Sequence, residues 1–113
     1  AIVSQNKQYC TPSSVDSIVS SNGQEDHVSM GANAATKLRR VILNVQRVLA
    51  IELLTAAQAL ELRRPHKSSP ALEKVFAALR ETAPFMPEDD VLHYRMAAAE
   101  QLLNRDPATI TGM

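Results

Sequence analysis

One stretch of this chain concentrates the residue types that do chemistry. Asn22-Gly23-Gln24-Glu25-Asp26-His27-Val28-Ser29-Met30-Gly31 sets an amide, two carboxylates and an imidazole in four consecutive positions, Gln24 to His27. Three uses fit such a cluster. Glu25 can act as a general acid or base, with Gln24 as a hydrogen-bond partner for a substrate. Asp26 or Ser29 can instead cap the helix that follows, the commoner use of these residue types, leaving the rest as solvated loop. A zinc site of His27, Asp26 and Glu25 is the weakest of the three. Ligands on one helix face need i,i+4 spacing, and His66 and His93 are distant in sequence, so no metal is expected. Elsewhere the signals are bland. Cys10 has no His or Asn near it that would make it a nucleophile. His66 follows Pro65 in a turn, and His93 sits beside Tyr94 at a helix surface or edge. Lys37, Arg39 and Arg40 are a short solvated or interface run without aromatic interleaving.

The elements that must position the cluster fall into an irregular head and three helices. Residues 1–28 mix Ser, Asn, Gln, Asp, Gly and Pro without a period, with turn signals at Thr11-Pro12-Ser13-Ser14 and Ser20-Ser21-Asn22-Gly23. From Ser29 to Arg64 there is no proline, and Leu38, Ile42, Val45, Leu49, Leu53, Ala56 and Leu60 recur at 4-3-4-4-3-4 spacing, which predicts one long central helix. At 1.5 Å per residue it would run roughly 50 Å. Val41, Val48, Ala50, Ile51, Leu54 and Ala57 make it apolar nearly all round, so it needs cover on several sides. Pro65 stops it. A shorter helix is predicted from Ser69 to Ala83, with Ser69 as cap, Pro70 in the first position and Leu72, Val75, Phe76 and Leu79 facing inward. Another is predicted from Glu88 to Asn104, with an acidic first turn and Val91, Leu92, Met96, Ala99, Leu102 and Leu103 facing inward. Asp106-Pro107 reads as a break before a frayed tail. The expected class is all-α: a long central helix and two shorter ones within a larger helical bundle, with residues 1–28 irregular and 29–113 helical.

Totals narrow the function classes. The 113 residues are 45% apolar with two Tyr, two Phe and no Trp, an Ala- and Leu-rich core that favours helices. Twelve basic and twelve acidic residues balance to zero formal charge, so neither nucleic acid nor an anionic membrane is implied as a partner. The single cysteine excludes an internal disulfide and suits a cytoplasmic protein. The run from Val48 to Leu54 is broken by Glu52 and is too short to span a bilayer, and Ala1 to Cys10 holds no signal-peptide pattern.

Against this reading stands a specific similarity. Ser13-Ser14-Val15-Asp16-Ser17-Ile18, followed by Asn22 and by Gln24-Glu25-Asp26-His27-Val28-Ser29-Met30, resembles the aromatic amino acid lyase family, and within it the histidine ammonia-lyases. Arg47-Val48-Leu49-Ala50-Ile51-Glu52 and Lys67-Ser68-Ser69-Pro70-Ala71-Leu72-Glu73 resemble later helices of the same enzymes. The similarity runs from about Val3 to Leu103 and corresponds to the C-terminal part of those proteins. It implies elimination of ammonia from histidine to give urocanate. The electrophile would be a methylidene-imidazolone group formed from an internal Ala-Ser-Gly, a tripeptide absent from this chain. It also implies a homotetramer of long helices with active sites shared between subunits. By position, Glu25 matches the family's active-site glutamate and Gln24 the adjacent substrate-binding amide; Asp26, His27 and Ser29 match the motif as supporting or capping residues. The resulting expectation is the C-terminal portion of a histidine ammonia-lyase, self-associating and inactive alone. Two alternatives stay open. One is a tyrosine- or phenylalanine-acting lyase or aminomutase of the same family. The other is a helical interaction module without chemistry.

Overall fold

A computed structural model describes residues 1–111. Among these, five helices and two short 3-10 turns carry the chain, and no strand is formed. The helices are α1 (Ile2–Tyr9), α2 (Gly31–Leu62), α3 (Pro70–Thr82), α4 (Leu92–Leu103) and α5 (Pro107–Thr111); the 3-10 turns are Ser13–Asp16 and Ser21–Gly23. The all-α expectation with one long central helix therefore holds. The chain forms two units, Ala1–Val45 and Gln46–Met113, with the boundary inside α2.

In the second unit, Ala50, Leu54 and Ala57 of α2 meet Leu79 of α3, Ala83, and Ala99 and Leu102 of α4 in one buried cluster, with Phe76, Met96 and Ile110 packed on it. Leu79 fills the centre with no exposed surface. The buried face of α2 is thus rotated from the expected one: Leu53 and Leu60 are half-buried, while Leu49 and Ala56 are exposed. Ala50, Leu54 and Ala57, read only as widening the face, are the ones at the contact. On α3 and α4 the expected faces are likewise covered only in part, with Leu72, Val91, Leu92 and Leu103 exposed.

Helix ends follow local hydrogen bonding. Ser69 caps α3, its hydroxyl accepting from Leu72 N–H at 3.4 Å. Glu73 does more than support that first turn. Its carboxylate accepts from Ser68 N–H at 2.8 Å and pairs with both terminal nitrogens of Arg64 at 3.1 and 2.9 Å, tying the end of α2 to the start of α3. These bonds hold the Glu73 carboxyl below the usual carboxylate range and raise Arg64. The acidic turn before α4 is not helical, contrary to expectation. Asp90 accepts from its neighbour Val91 N–H at 2.7 Å and grips Arg95 at 2.7 and 3.1 Å, so α4 starts only at Leu92. An aspartate that bonds local backbone competes with helix, and here it wins. The tail is the reverse case. Asp106 accepts from Ala108 N–H at 3.0 Å and starts α5, so Asp-Pro here opens a helix and does not merely break one.

The first unit has a different construction. Residues 2–9, expected to be irregular with the rest of the head, form α1. Its apolar periodicity is faint because it docks through polar groups. The buried Asn44 of α2 donates to Asn6 Oδ1 at 2.8 Å and to Gln5 Oε1 at 3.3 Å. Lys37 donates to the Thr11 carbonyl and, at 3.4 Å, to the hydroxyl of the buried Ser13. The Arg40 guanidinium lies 5.6 Å from the Tyr9 ring centre. Meanwhile Leu38, Ile42 and Val45, the first part of the 4-3-4 stripe, stay exposed, as do Val15, Ile18 and Val19. An 18-residue window of α2 also reaches a mean hydropathy of 1.3, enough by length and composition to cross a membrane, where the sequence reading found no apolar run of that length. The same helix, however, gives Ala50, Leu54 and Ala57 to a protein core and pairs Glu61 with Arg80 at 3.3 Å.

Candidate active-site loop

The Gln24–Met30 string lies in the first unit, on a loop between the Ser13–Asp16 turn and α2. Its conformation follows from Ser20-Ser21-Asn22-Gly23. Three successive residues take left-handed backbone: Ser21 at φ 52°, Asn22 at φ 53° and Gly23 at φ 86°. Gly23 adopts this at no steric cost and Asn22 at little, but Ser21 bears about 1–2 kcal/mol of strain. The chain therefore reverses within a few residues. Gly23 N–H donates to the Ser20 carbonyl at 3.1 Å and Gln24 N–H to the Ser21 carbonyl at 3.2 Å. Ser20 and Glu25 then pair as an isolated antiparallel bridge, with N–H to carbonyl distances of 2.9 and 3.3 Å. A second closure lies outside it: Ser17 Oγ accepts from Val28 N–H at 2.9 Å and donates to the Val28 carbonyl at 3.4 Å.

The two closures display Gln24 and Glu25. Both side chains are exposed, and so are Asp26 and His27. Among the described residues, the Glu25 carboxylate meets one side-chain partner, the Ser20 hydroxyl at 3.4 Å. Such a carboxylate keeps most of its lone pairs for a ligand. Neither Asp26 nor Ser29 caps α2. That helix opens at Gly31, the residue before it is Met30, and the Met30 carbonyl accepts from Ala34 N–H at 3.0 Å. The capping use of the string is therefore not the one adopted. Among the described residues, no three His, Cys, Asp or Glu side chains gather as a metal site would require. His66 and His93 lie in the other unit, His93 exposed with its ring 5.5 Å from that of Tyr94.

Sequence reasoning missed the supporting polar residues Ser17, Ser20, Lys37 and Asn44. Only Asn44 carried a signal of its own, an amide set between Leu43 and Val45 on an otherwise apolar run. A cavity of about 430 Å³ in the second unit, with Leu54, Met86, Leu92, Met96 and Glu88 to Asp90 in its lining, contains none of the motif residues.

The loop and the all-helical frame are matched by known proteins. A model of the aromatic amino acid lyase family matches residues 1–81. The histidine ammonia-lyase of Anaeromyxobacter sp. (strain K) is 52% identical over 104 residues, covering 92% of this chain and 20% of that protein. The histidine ammonia-lyase of Bos taurus is 48% identical over 103 residues, covering 91% of this chain and 16% of that protein. The crystal structure of histidine ammonia-lyase from Trypanosoma cruzi superposes with a TM-score of 0.86 at 42% identity, covering 96% of this chain and 21% of that one. The chain belongs to the aromatic amino acid lyase family, and it spans about a fifth of the length of the curated relatives it matches.

Proposed function

We propose that this chain forms one wall of the active site of an ammonia-lyase that converts L-histidine to urocanate and ammonia. The observation that carries the reading is the exposed Gln24–Glu25 pair, held on a loop closed twice, in a chain about half identical to histidine ammonia-lyases. In the reaction the Cα–N bond breaks, ammonia leaves and a proton is lost from Cβ. The family's methylidene-imidazolone group would supply the electrophile. No Ala-Ser-Gly occurs among the 113 residues, so none of them forms that group. This chain's share is binding and charge. Glu25, with its exposed carboxylate, would pair with a substrate's cationic amine. Gln24 beside it offers both a donor and an acceptor to the substrate. The exposed Leu38, Ile42 and Val45 support assembly with further copies. We further propose that the assembly is a homotetramer and that it works in the cytoplasm.

The test uses the polypeptide that carries these residues together with an Ala-Ser-Gly segment, supplied with histidine and followed by urocanate absorbance. Glu25→Gln should lower turnover by about a hundredfold or more, with thermal stability unchanged because the side chain is exposed. Unchanged turnover would remove Glu25 from the mechanism. Turnover on tyrosine or phenylalanine but not histidine would move the protein to another branch of the family. Turnover on none of them would favour a helical interaction module. The 113 residues alone should form no urocanate.

A further inference from the structure

We infer that Ser17 is a positioning residue for Glu25, acting through a clasp on Val28; this rests on the reading of Glu25 proposed above. Apolar packing does little to shape the segment between Ser17 and Val28. Ile18 and Val19 are exposed, Ser20 is half-buried, and residues 21 to 27 are all exposed. The segment also contains the left-handed backbone at Ser21 and Asn22, which a loosely held chain would abandon. The side-chain hydroxyl of Ser17, itself half-buried, engages both polar groups of one distant residue: Val28 N–H at 2.9 Å and Val28 C=O at 3.4 Å. One hydroxyl thereby satisfies two backbone groups and closes a loop that has the Ser20–Glu25 pair at its inner end.

The two closures are nested, and the order matters. The inner bridge uses backbone groups that any sequence offers. The outer clasp depends on one side-chain oxygen, so a single substitution at Ser17 can undo it. Without it the Val28 N–H and C=O turn to water, the loop ends separate, and the Glu25 carboxylate samples many positions in place of one. A catalytic group displaced by about an ångström loses much of its effect even when the protein stays folded. Ser17 does not touch substrate on this account; it fixes where Glu25 stands.

The experiment compares Ser17→Ala and Ser17→Thr in the full polypeptide, by hydrogen exchange read on peptides and by urocanate formation. Ser17→Ala should speed exchange at Glu25 and Val28 about tenfold while α2 peptides spanning Ala50 to Ala57 keep their protection. It should lower kcat about tenfold with a smaller change in KM, and Ser17→Thr, which keeps the hydroxyl, should restore both. Unaltered exchange at Val28 would overturn the clasp. Faster exchange with unaltered kcat would overturn the positioning role, as would failure of the threonine variant to recover activity while recovering protection. If the unsubstituted polypeptide makes no urocanate, the proposed function fails while the exchange data still decide the clasp. If the alanine variant also loses protection in α2, Ser17→Cys, of similar volume but a weak acceptor, replaces it with the same expected outcomes.

Discussion

The exposed stripe at the start of α2 makes a quantitative prediction about assembly. Leu38, Ile42 and Val45 are 59%, 50% and 43% exposed, together about one and a half fully exposed apolar side chains. Covering that surface against a second copy is worth roughly 2–5 kcal/mol per chain at 1.5–3 kcal/mol per buried side chain. Replacing Leu38 and Ile42 by glutamate removes most of that gain and adds the cost of burying charge. A self-contact using the stripe on both copies should therefore weaken by a hundredfold or more, since each 1.4 kcal/mol is a factor of ten. Sedimentation velocity over a concentration series reads this directly. The unsubstituted chain should associate as its concentration rises, and the double variant should sediment as a monomer with its helical circular dichroism intact. Equal association of the two proteins would show that the stripe is not the contact. A monomeric unsubstituted chain at high concentration would refute the argument at its root.

The remaining predictions concern the chain's own packing. Leu79→Ala empties the centre of the second unit and should cost about 3 kcal/mol in chemical denaturation, whereas Leu72→Ala on the exposed side of the same helix should cost under about 1 kcal/mol; similar losses would contradict the assigned core. Asn44→Ala should cost about 1–2 kcal/mol and release α1, read as faster amide exchange over Ile2–Tyr9 than over Pro70–Thr82. The Glu73 carboxyl has a folded-state pKa below its unfolded value of about 4.3, so its contribution is complete above that pH and fades as pH falls through the folded value. Glu73→Gln should accordingly lose stability at neutral pH and show a shallower decline below about pH 4; parallel pH profiles would discount the Arg64–Glu73 link.

The Gln24–Met30 string is where sequence and structure divide most clearly. The residue types at Gln24 to His27 could be seen without coordinates, and local chemistry alone offered a cap, a catalytic segment or a ligand set. The backbone sets the cap aside. Left-handed residues at 21 to 23 turn the chain back, α2 opens at Gly31, and the carboxylates are left facing outward with no cap to make. The clasp between Ser17 and Val28 was invisible because it joins residues 11 apart in sequence through one hydroxyl, and no periodic pattern reports such a contact.

What the sequence by itself determined was the helical class, the length of α2 and the start of α3. Each depends on neighbours within a few residues: an unbroken apolar period, a proline stop, a serine followed by proline. What only the tertiary structure decided was which face of each helix is covered and where α1, α4 and α5 begin or end. The face depends on where α3 and α4 dock, and they meet Ala50, Leu54 and Ala57 while Leu49 and Ala56 stay exposed. The ends of α1 and α4 depend on pairings that sequence spacing does not display: Asn44 with Asn6 and Asp90 with Arg95. A hydrogen bond gains most where its partner is already held in place, and only the folded chain holds it there.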